Sequence, residues 1–302
     1  METRTFEKKR VNALLFYFIL PLLYLIAFLP FPVFYKLSDG VCFVLYRLMG
    51  YRKEIVRSNL KRAFPYKTQK ELDQIEKRFY SHLCDLFLEM IKSMGMSKND
   101  MLLRFKVKNI EVLQNYESQK RSVFLMCGHY ASWEWMMSLG YHIDHRGIGI
   151  YRPLSNPYFD RLLKKIRSRH DADMISMKTA AATIKENEIN RILGVYGFAS
   201  DQSPRPKPLT YWRDFLGVHV PVYTGAERLA RELNIPVVFG KIKRVKRGYY
   251  EVEFIPIADQ PQATKENEIT DIFTEFLEAQ IQEDPSQYFW THKRFKFAKA
   301  SV

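Results

Sequence analysis

From Val11 to Tyr35 the chain places no charged residue in 25 consecutive positions, and a second apolar stretch runs from Gly40 to Tyr46. A run of this length meets the requirement for a bilayer-spanning helix. Pro21 predicts a kink within it, and Pro30 with Pro32 an end or a turn back. Three shapes fit: one kinked spanning helix, a helical hairpin dipping into one leaflet, or a buried core hairpin. A cleaved signal peptide fits less well, because no small-x-small site closes the run before the prolines.

The pattern then changes to helical spacing. Over residues 47–64, Leu48, Tyr51, Ile55, Val56, Leu60 and Phe64 mark one face of a basic amphipathic helix that Pro65 stops. Over 68–94, Leu72, Ile75, Phe79, His82, Leu83, Leu86, Phe87, Met90 and Ile91 mark a second stripe, with His82 read as a packed or surface-edge histidine. From residue 101 strands and helices alternate. Short strands are expected at 107–113, 122–126, 147–151, 173–176, 191–199, 236–242 and 249–255. Helices are expected from 133 and over 156–169, 179–190, 224–233 and 269–283. That alternation predicts an α/β fold with a mixed central sheet and helices on both faces. The chain divides into an N-terminal membrane anchor (1–46), a basic helical neck (47–100) and an α/β domain (101–302).

Charge adds a partner class. The net charge is +14, and nucleic acid, anionic lipid and an acidic protein all suit such a surface. No nucleic-acid fold motif appears, and the basic residues gather beside the apolar run, so a lipid setting explains them better. Arg4, Lys8, Lys9 and Arg10 precede the run, while Lys36, Arg47, Arg52, Lys53, Arg57, Lys61, Arg62 and Lys67 follow it. The larger group leans toward a cytoplasmic body, the closer cluster argues the other way, and a re-entrant hairpin satisfies both. Cys42, Cys84 and Cys127 are widely spaced and suggest a reducing compartment rather than a disulfide framework. There is no GxGxxG and no GxxxxGK[ST] to suggest nucleotide binding.

Candidate chemistry centres on RSVFLMCGHYASWEW at 121–135. His129 follows an apolar strand at a position where α/β sheets commonly bind ligands. Glu134, five residues on, can reach back to one ring nitrogen, leaving the other to take a proton from a hydroxyl. A lone H-x4-E is a weak signal, and a structural histidine fits it too. Cys127 is read as a packed thiol rather than a nucleophile. Arg152 follows the 147–151 strand and offers planar donors for an oxyanion or a phosphate. Asp201 ends the 191–199 strand, where turn capping explains it nearly as well. The loop 203–213 lines an entrance or is a rigid surface loop. His142 and His145 lack a third ligand at metal-site spacing, so no metal is expected. His292, in YFWTHKRFKF, closes over a headgroup, rests on the membrane or belongs to an amphipathic tail.

Taken in order, several blocks resemble the bacterial lipid A biosynthesis acyltransferases of the late lauroyl and myristoyl type. They are AFP at 63–65, HYASWE at 129–134, YRP at 151–153, ASDQS at 199–203, FLG at 215–217, TGAERLA at 224–230 and DPSQYFWTHKRFK at 284–296. The resemblance implies a glycerolipid-acyltransferase-like fold and an inner-membrane enzyme with its catalytic domain facing the cytoplasm. It implies transfer of a fatty acyl group from acyl carrier protein to a hydroxyl of a lipid A precursor, or of another membrane lipid. No cofactor is implied beyond the thioester co-substrate, and no acyl-enzyme. By the same resemblance His129 is the general base, Glu134 its orienting partner, and Arg152 and Asp201 assist. Three residues depart from the family pattern. Gly128 stands where asparagine is common, and Ala131 and Ser132 where Gly-Asn is common.

Overall fold

The computed structural model describes residues 2–299; the side chains of Arg4, Lys8, Lys9 and Arg10 lie outside the described part. The apolar run forms helix α1 (Glu2–Phe28), which continues through Pro21 and ends just before Pro30. Helix α2 (Phe31–Phe43) restarts with Pro32 in its first turn, where the missing N–H costs nothing. A π-helical turn (Val44–Leu48) leads to α3 (Lys53–Ala63), shorter at its start than the periodicity predicted. Helix α4 (Gln69–Lys92) opens with a capping box in which Thr68 and Glu71 exchange hydrogen bonds. Helix α5 (Lys98–Arg104) then enters the sheet region.

The remaining elements are β1 (Phe105–Val107), α6 (Glu111–Ser118), β2 (Val123–Cys127), a 3-10 helix (Trp133–Tyr141), β3 (Arg146–Tyr151), α7 (Pro157–Ser168), β4 (Ala172–Ser176), α8 (Ala180–Ile189), β5 (Gly194–Ala199), β6 (Trp212–Phe215), β7 (Val218–Pro221), α9 (Gly225–Leu233), β8 (Val237–Lys246), β9 (Tyr249–Ala258) and α10 (Glu268–Glu283). The expected 107–113 strand is instead the end of β1 followed by α6. Leu113 and Tyr116 lie at helical spacing and are buried there. The proline-rich 203–213 loop ends in β6, which pairs with β7 as a hairpin turned at Leu216 and Gly217.

Seven strands form one mixed sheet in the order β1-β9-β8-β2-β5-β3-β4, with helices on both faces. Only the β8–β9 pairing within it is antiparallel. β2 is buried along its whole length, as a central parallel strand should be. Helices α3 and α4 share a single hydrophobic core with the sheet, through Val56, Leu60, Phe79 and Leu83 among others.

Among the described residues, one helix, Val11–Phe28 within α1, is long and apolar enough to cross a membrane. Its Phe18, Leu25 and Phe28 side chains are exposed. Its end is held on α4, where Lys92 Nζ donates to the Ala27 carbonyl at 2.8 Å. Gly95 makes that approach possible, since a Cβ there would lie 2.5 Å from the Ala27 oxygen.

A buried polar layer ties α2 to α4 and the sheet. Glu89 accepts from Tyr35 at 2.8 Å and from Tyr250 at 2.9 Å. Asp85 accepts from Ser38 at 2.7 Å and pairs with Arg247 at 2.7 Å. Burial, reinforced by Asp85, pushes the Glu89 carboxyl up to about 7, against the opposing pull of the two tyrosines and Arg244. A carboxyl raised on folding binds more protons in the native state, so stability falls as pH rises from the unfolded value of about 4.3 through about 7. Glu89→Gln is therefore expected to melt above the parent at pH 8, by on the order of 3 kcal/mol. The gap should close below pH 5 in thermal scans across pH.

Candidate active site

Strand β2 delivers Gly128 and His129 to the C-terminal edge of the sheet. Gly128 has no room for a side chain, because a Cβ would sit 2.4 Å from Leu277 Cδ1 of α10. This accounts for one departure from the family pattern: the volume is filled from α10 instead. Gly128→Asn is expected to cost about 1–3 kcal/mol by overpacking. Combined with Leu277→Ala it should cost less than the sum of the two single changes in denaturant unfolding.

The turn that follows is clamped by the C-terminal segment. Phe289 N–H donates to the His129 carbonyl at 3.1 Å, and Ala131 N–H to the Gln287 carbonyl at 3.0 Å. Tyr130 pairs with Tyr288 in an isolated antiparallel bridge. Ala131 is fully buried with φ 49°, in the left-handed region that glycine adopts without strain. The family's glycine suits that conformation; alanine takes it here at a modest conformational cost.

The imidazole of His129 meets Asp201, not Glu134. Nδ1 lies 2.5 Å from Asp201 Oδ1, and the His129 backbone N–H donates to Asp201 Oδ2 at 3.1 Å. The sheet register makes this contact. Cys127 of β2 stands opposite Ala199 of β5, so the residues two positions beyond each strand emerge side by side. Asp201 is buried. Burial alone would raise its carboxyl, but the imidazole and backbone N–H of His129 outweigh it and hold the pKa below the usual carboxylate value. Burial likewise opposes charge on His129, and the Asp201 carboxylate more than offsets it, so the imidazole is more basic than usual.

With Nδ1 bound, Nε2 is the ring nitrogen left for a substrate, and the side chain is 19% exposed. The Gln202 side-chain amide is 3.4 Å from Nε2. Trp133 and Phe289 wall the ring, with centroids 5.1 and 6.0 Å away. Behind Asp201 stand two groups whose importance the sequence did not signal. Arg294 is buried and donates to Ser203 Oγ at 2.7 Å and to the Pro221 carbonyl at 3.1 Å. Burial lowers its pKa, with Tyr288 and Asp201 pulling the other way. Tyr288 is raised well above the tyrosine norm by burial and by Asp201.

The expected pairing of Glu134 with His129 is thus corrected. The left-handed turn at Ala131 and the 3-10 helix carry Glu134 toward α7. There it accepts from Arg167 Nη2 at 2.7 Å and Nε at 3.1 Å. Both side chains are largely buried, and both charges act on His129. Arg167 carried no motif that singled it out; it is one of several cations on an amphipathic helix. Arg152 emerges exposed at the end of β3, on the same sheet edge but two strands from β2, roughly 10 Å away by strand spacing. Among the described residues it makes no hydrogen bond to His129, Asp201 or Glu134.

Other candidates are placed plainly. Burial pushes the Cys127 thiol up to about 12, so it carries almost no thiolate at neutral pH. His82 packs in the core, where burial drives it down to about 3. His292 is half-buried against the 202–203 turn. Its Nε2 accepts from Ser203 N–H at 3.3 Å, and its neighbour Trp290 is fully buried. Among the described residues no group of three or more His, Cys, Asp or Glu is placed to hold a metal ion.

The arrangement can support acid–base chemistry: an imidazole is fixed and polarised by a buried carboxylate, and its second nitrogen meets the Gln202 side-chain amide. Comparison with known proteins covers nearly the whole chain. The family description "Bacterial lipid A biosynthesis acyltransferase" matches residues 4–297. A lipid A biosynthesis lauroyltransferase of Escherichia coli K12 is 25% identical over 91% of this chain and 89% of its own. The lipid A biosynthesis palmitoleoyltransferase of the same strain is 24% identical, over 93% and 90%. A lipid A biosynthesis acyltransferase of Haemophilus influenzae is 26% identical, over 89% and 86%. The chain is an acyltransferase and belongs to the bacterial lipid A biosynthesis acyltransferase family.

Proposed function

We propose that this enzyme moves a fatty acyl group from the thioester of acyl carrier protein to a hydroxyl of a lipid A precursor. It acts at the bacterial inner membrane, anchored by α1, with the catalytic body on the cytoplasmic side. His129 Nε2 takes the proton of the acceptor hydroxyl as its oxygen attacks the thioester carbonyl. The tetrahedral oxyanion collapses, the carbon–sulfur bond breaks, and the departing thiolate recovers the proton from Nε2. An ester and a free thiol result, with no acyl-enzyme and no cofactor. Asp201 holds Nδ1–H and stabilises the imidazolium that forms between the two proton transfers. The Glu134–Arg167 pair sets the field beside the reacting atoms, and Arg152 stands at the outer rim for an anionic part of the lipid.

The observation that carries this reading is the 2.5 Å contact of His129 Nδ1 with buried Asp201, which leaves Nε2, held by no carboxylate, at the sheet edge. The exposed apolar α1 supports the membrane setting. Mass spectrometry of lipid A from cells with and without the gene tests it. The expected result is one acyl unit more on lipid A when the gene is present. Unchanged lipid A alongside an altered phospholipid or aminolipid would move the acceptor to that lipid. Release of free fatty acid without an acceptor would make the protein a thioesterase.

A further inference from the structure

Three acid-free segments carry twelve of the chain's 47 Lys and Arg residues. Residues 55–70 contain five Lys or Arg and no Asp or Glu; residues 202–213 contain three and none; residues 285–299 contain four and none. They are far apart in sequence, yet hydrogen bonds join them into one surface. Asn59 Nδ2 donates to the Trp290 and His292 carbonyls at 2.8 and 2.7 Å. Arg62 Nη1 donates to the Phe295 carbonyl at 3.3 Å, and Ser203 N–H to His292 Nε2 at 3.3 Å. Lys61, Arg62, Arg205, Lys207, Lys293 and Lys296 project from it, all exposed and none ion-paired among the described residues. The surface begins at the catalytic nitrogen. Gln202 lies 3.4 Å from His129 Nε2, and Phe289 packs on the His129 ring.

We propose that this basic ridge docks the acidic carrier protein that brings the acyl thioester to His129, a reading that rests on the carrier-donor reaction above. A row of unpaired cations with no acid among them attracts an acidic surface and repels a basic one. The ridge differs from the membrane-facing part of the chain. Two large apolar side chains, Tyr66 and Leu209, are exposed in these three segments, whereas α1 alone exposes Phe18, Leu22, Leu25 and Phe28. It is also set apart from α1, the helix apolar enough to span a membrane. On α4, the end of α1 contacts Lys92 and α3 contacts Glu76, sixteen residues apart along one helix, about 24 Å at helical rise. Separating the protein donor from the lipid acceptor in this way lets both reach one imidazole at once.

The test uses the full-length protein with the double charge reversals Lys293→Glu/Lys296→Glu and Lys61→Glu/Arg62→Glu. Lys265→Glu, in the loop just before α10, serves as control. Transfer is measured with the acyl-carrier thioester and with the same chain on pantetheine, which keeps the arm but carries no protein. Each double reversal is expected to raise KM for the carrier about tenfold or more at low salt, with little change in kcat. KM for the pantetheine thioester and for the lipid acceptor should not move, and the effect should fade as salt rises. An unmoved carrier KM overturns the proposal. So does a raised KM for the lipid acceptor, or weaker binding to anionic phosphatidylglycerol vesicles, with the carrier KM unchanged, since the ridge would then read lipid phosphates. A wild-type enzyme that uses pantetheine but not carrier thioester overturns the donor assignment itself and the ridge with it.

Discussion

Replacing His129 by asparagine is expected to lower acyl transfer by about 10²–10⁴-fold, the usual worth of a positioned general base, while the protein stays folded. Asparagine suits the test because its amide N–H can replace Nδ1–H as a donor to Asp201, while nothing replaces Nε2. His129→Ala should lose at least as much activity but also some stability. It strips the ring's hydrogen bond from a carboxylate that is almost wholly buried. Steady-state transfer to a lipid A precursor together with thermal unfolding separates the two effects. Full activity in His129→Asn would remove the histidine from the chemistry.

Asp201→Asn carries the second large effect, again about 10²–10⁴-fold in kcat. Asp201 accepts two N–H groups from one residue, the ring Nδ1–H and the backbone N–H of His129. Asparagine has one acceptor and one donor for these two places. If its oxygen takes the backbone N–H, its amide must donate to Nδ1. The imidazole proton is then forced onto Nε2, and the base is lost. If its oxygen takes Nδ1–H, two donors face each other at the backbone. Either way the open, basic Nε2 is no longer favoured. Glu134→Gln should behave differently. Its carboxylate serves Arg167 and does not contact the ring, so its loss perturbs the field at His129 without changing the tautomer.

Much of the fold could be read in advance because the period of the hydrophobic pattern changes cleanly along the chain. The all-apolar β2, the stripe of α4 and the strand–helix alternation from β2 onward are strong local signals. His129 was legible for the same reason, as the polar residue that follows a buried strand. Its partner was not. His129 and Asp201 are 72 residues apart and meet only because β2 and β5 pair in parallel with Cys127 opposite Ala199. Strand register is a tertiary fact with no local signature. Asp201 was noticed as a strand-end carboxylate, but a nearer carboxylate, Glu134, drew the pairing. The left-handed Ala131 that turns Glu134 away is an alanine, not the glycine that would have announced the turn. The tail misled in a similar way. Trp290 and Arg294 sit in an aromatic, basic sequence that suggests a surface, yet both are buried behind the site.

The central claim is that His129, held by Asp201, is the base for acyl transfer. It is tested most directly by the pH dependence of kcat/KM for transfer to the lipid acceptor, in wild type and Asp201→Asn. Asp201 raises the His129 pKa, so the active neutral imidazole is lost as pH falls, with a midpoint above the ordinary histidine value of about 6.5. The account predicts that Asp201→Asn moves this acid limb to lower pH while reducing the plateau rate. An acid limb that Asp201→Asn leaves in place, or one that moves instead with Glu134→Gln, would contradict it.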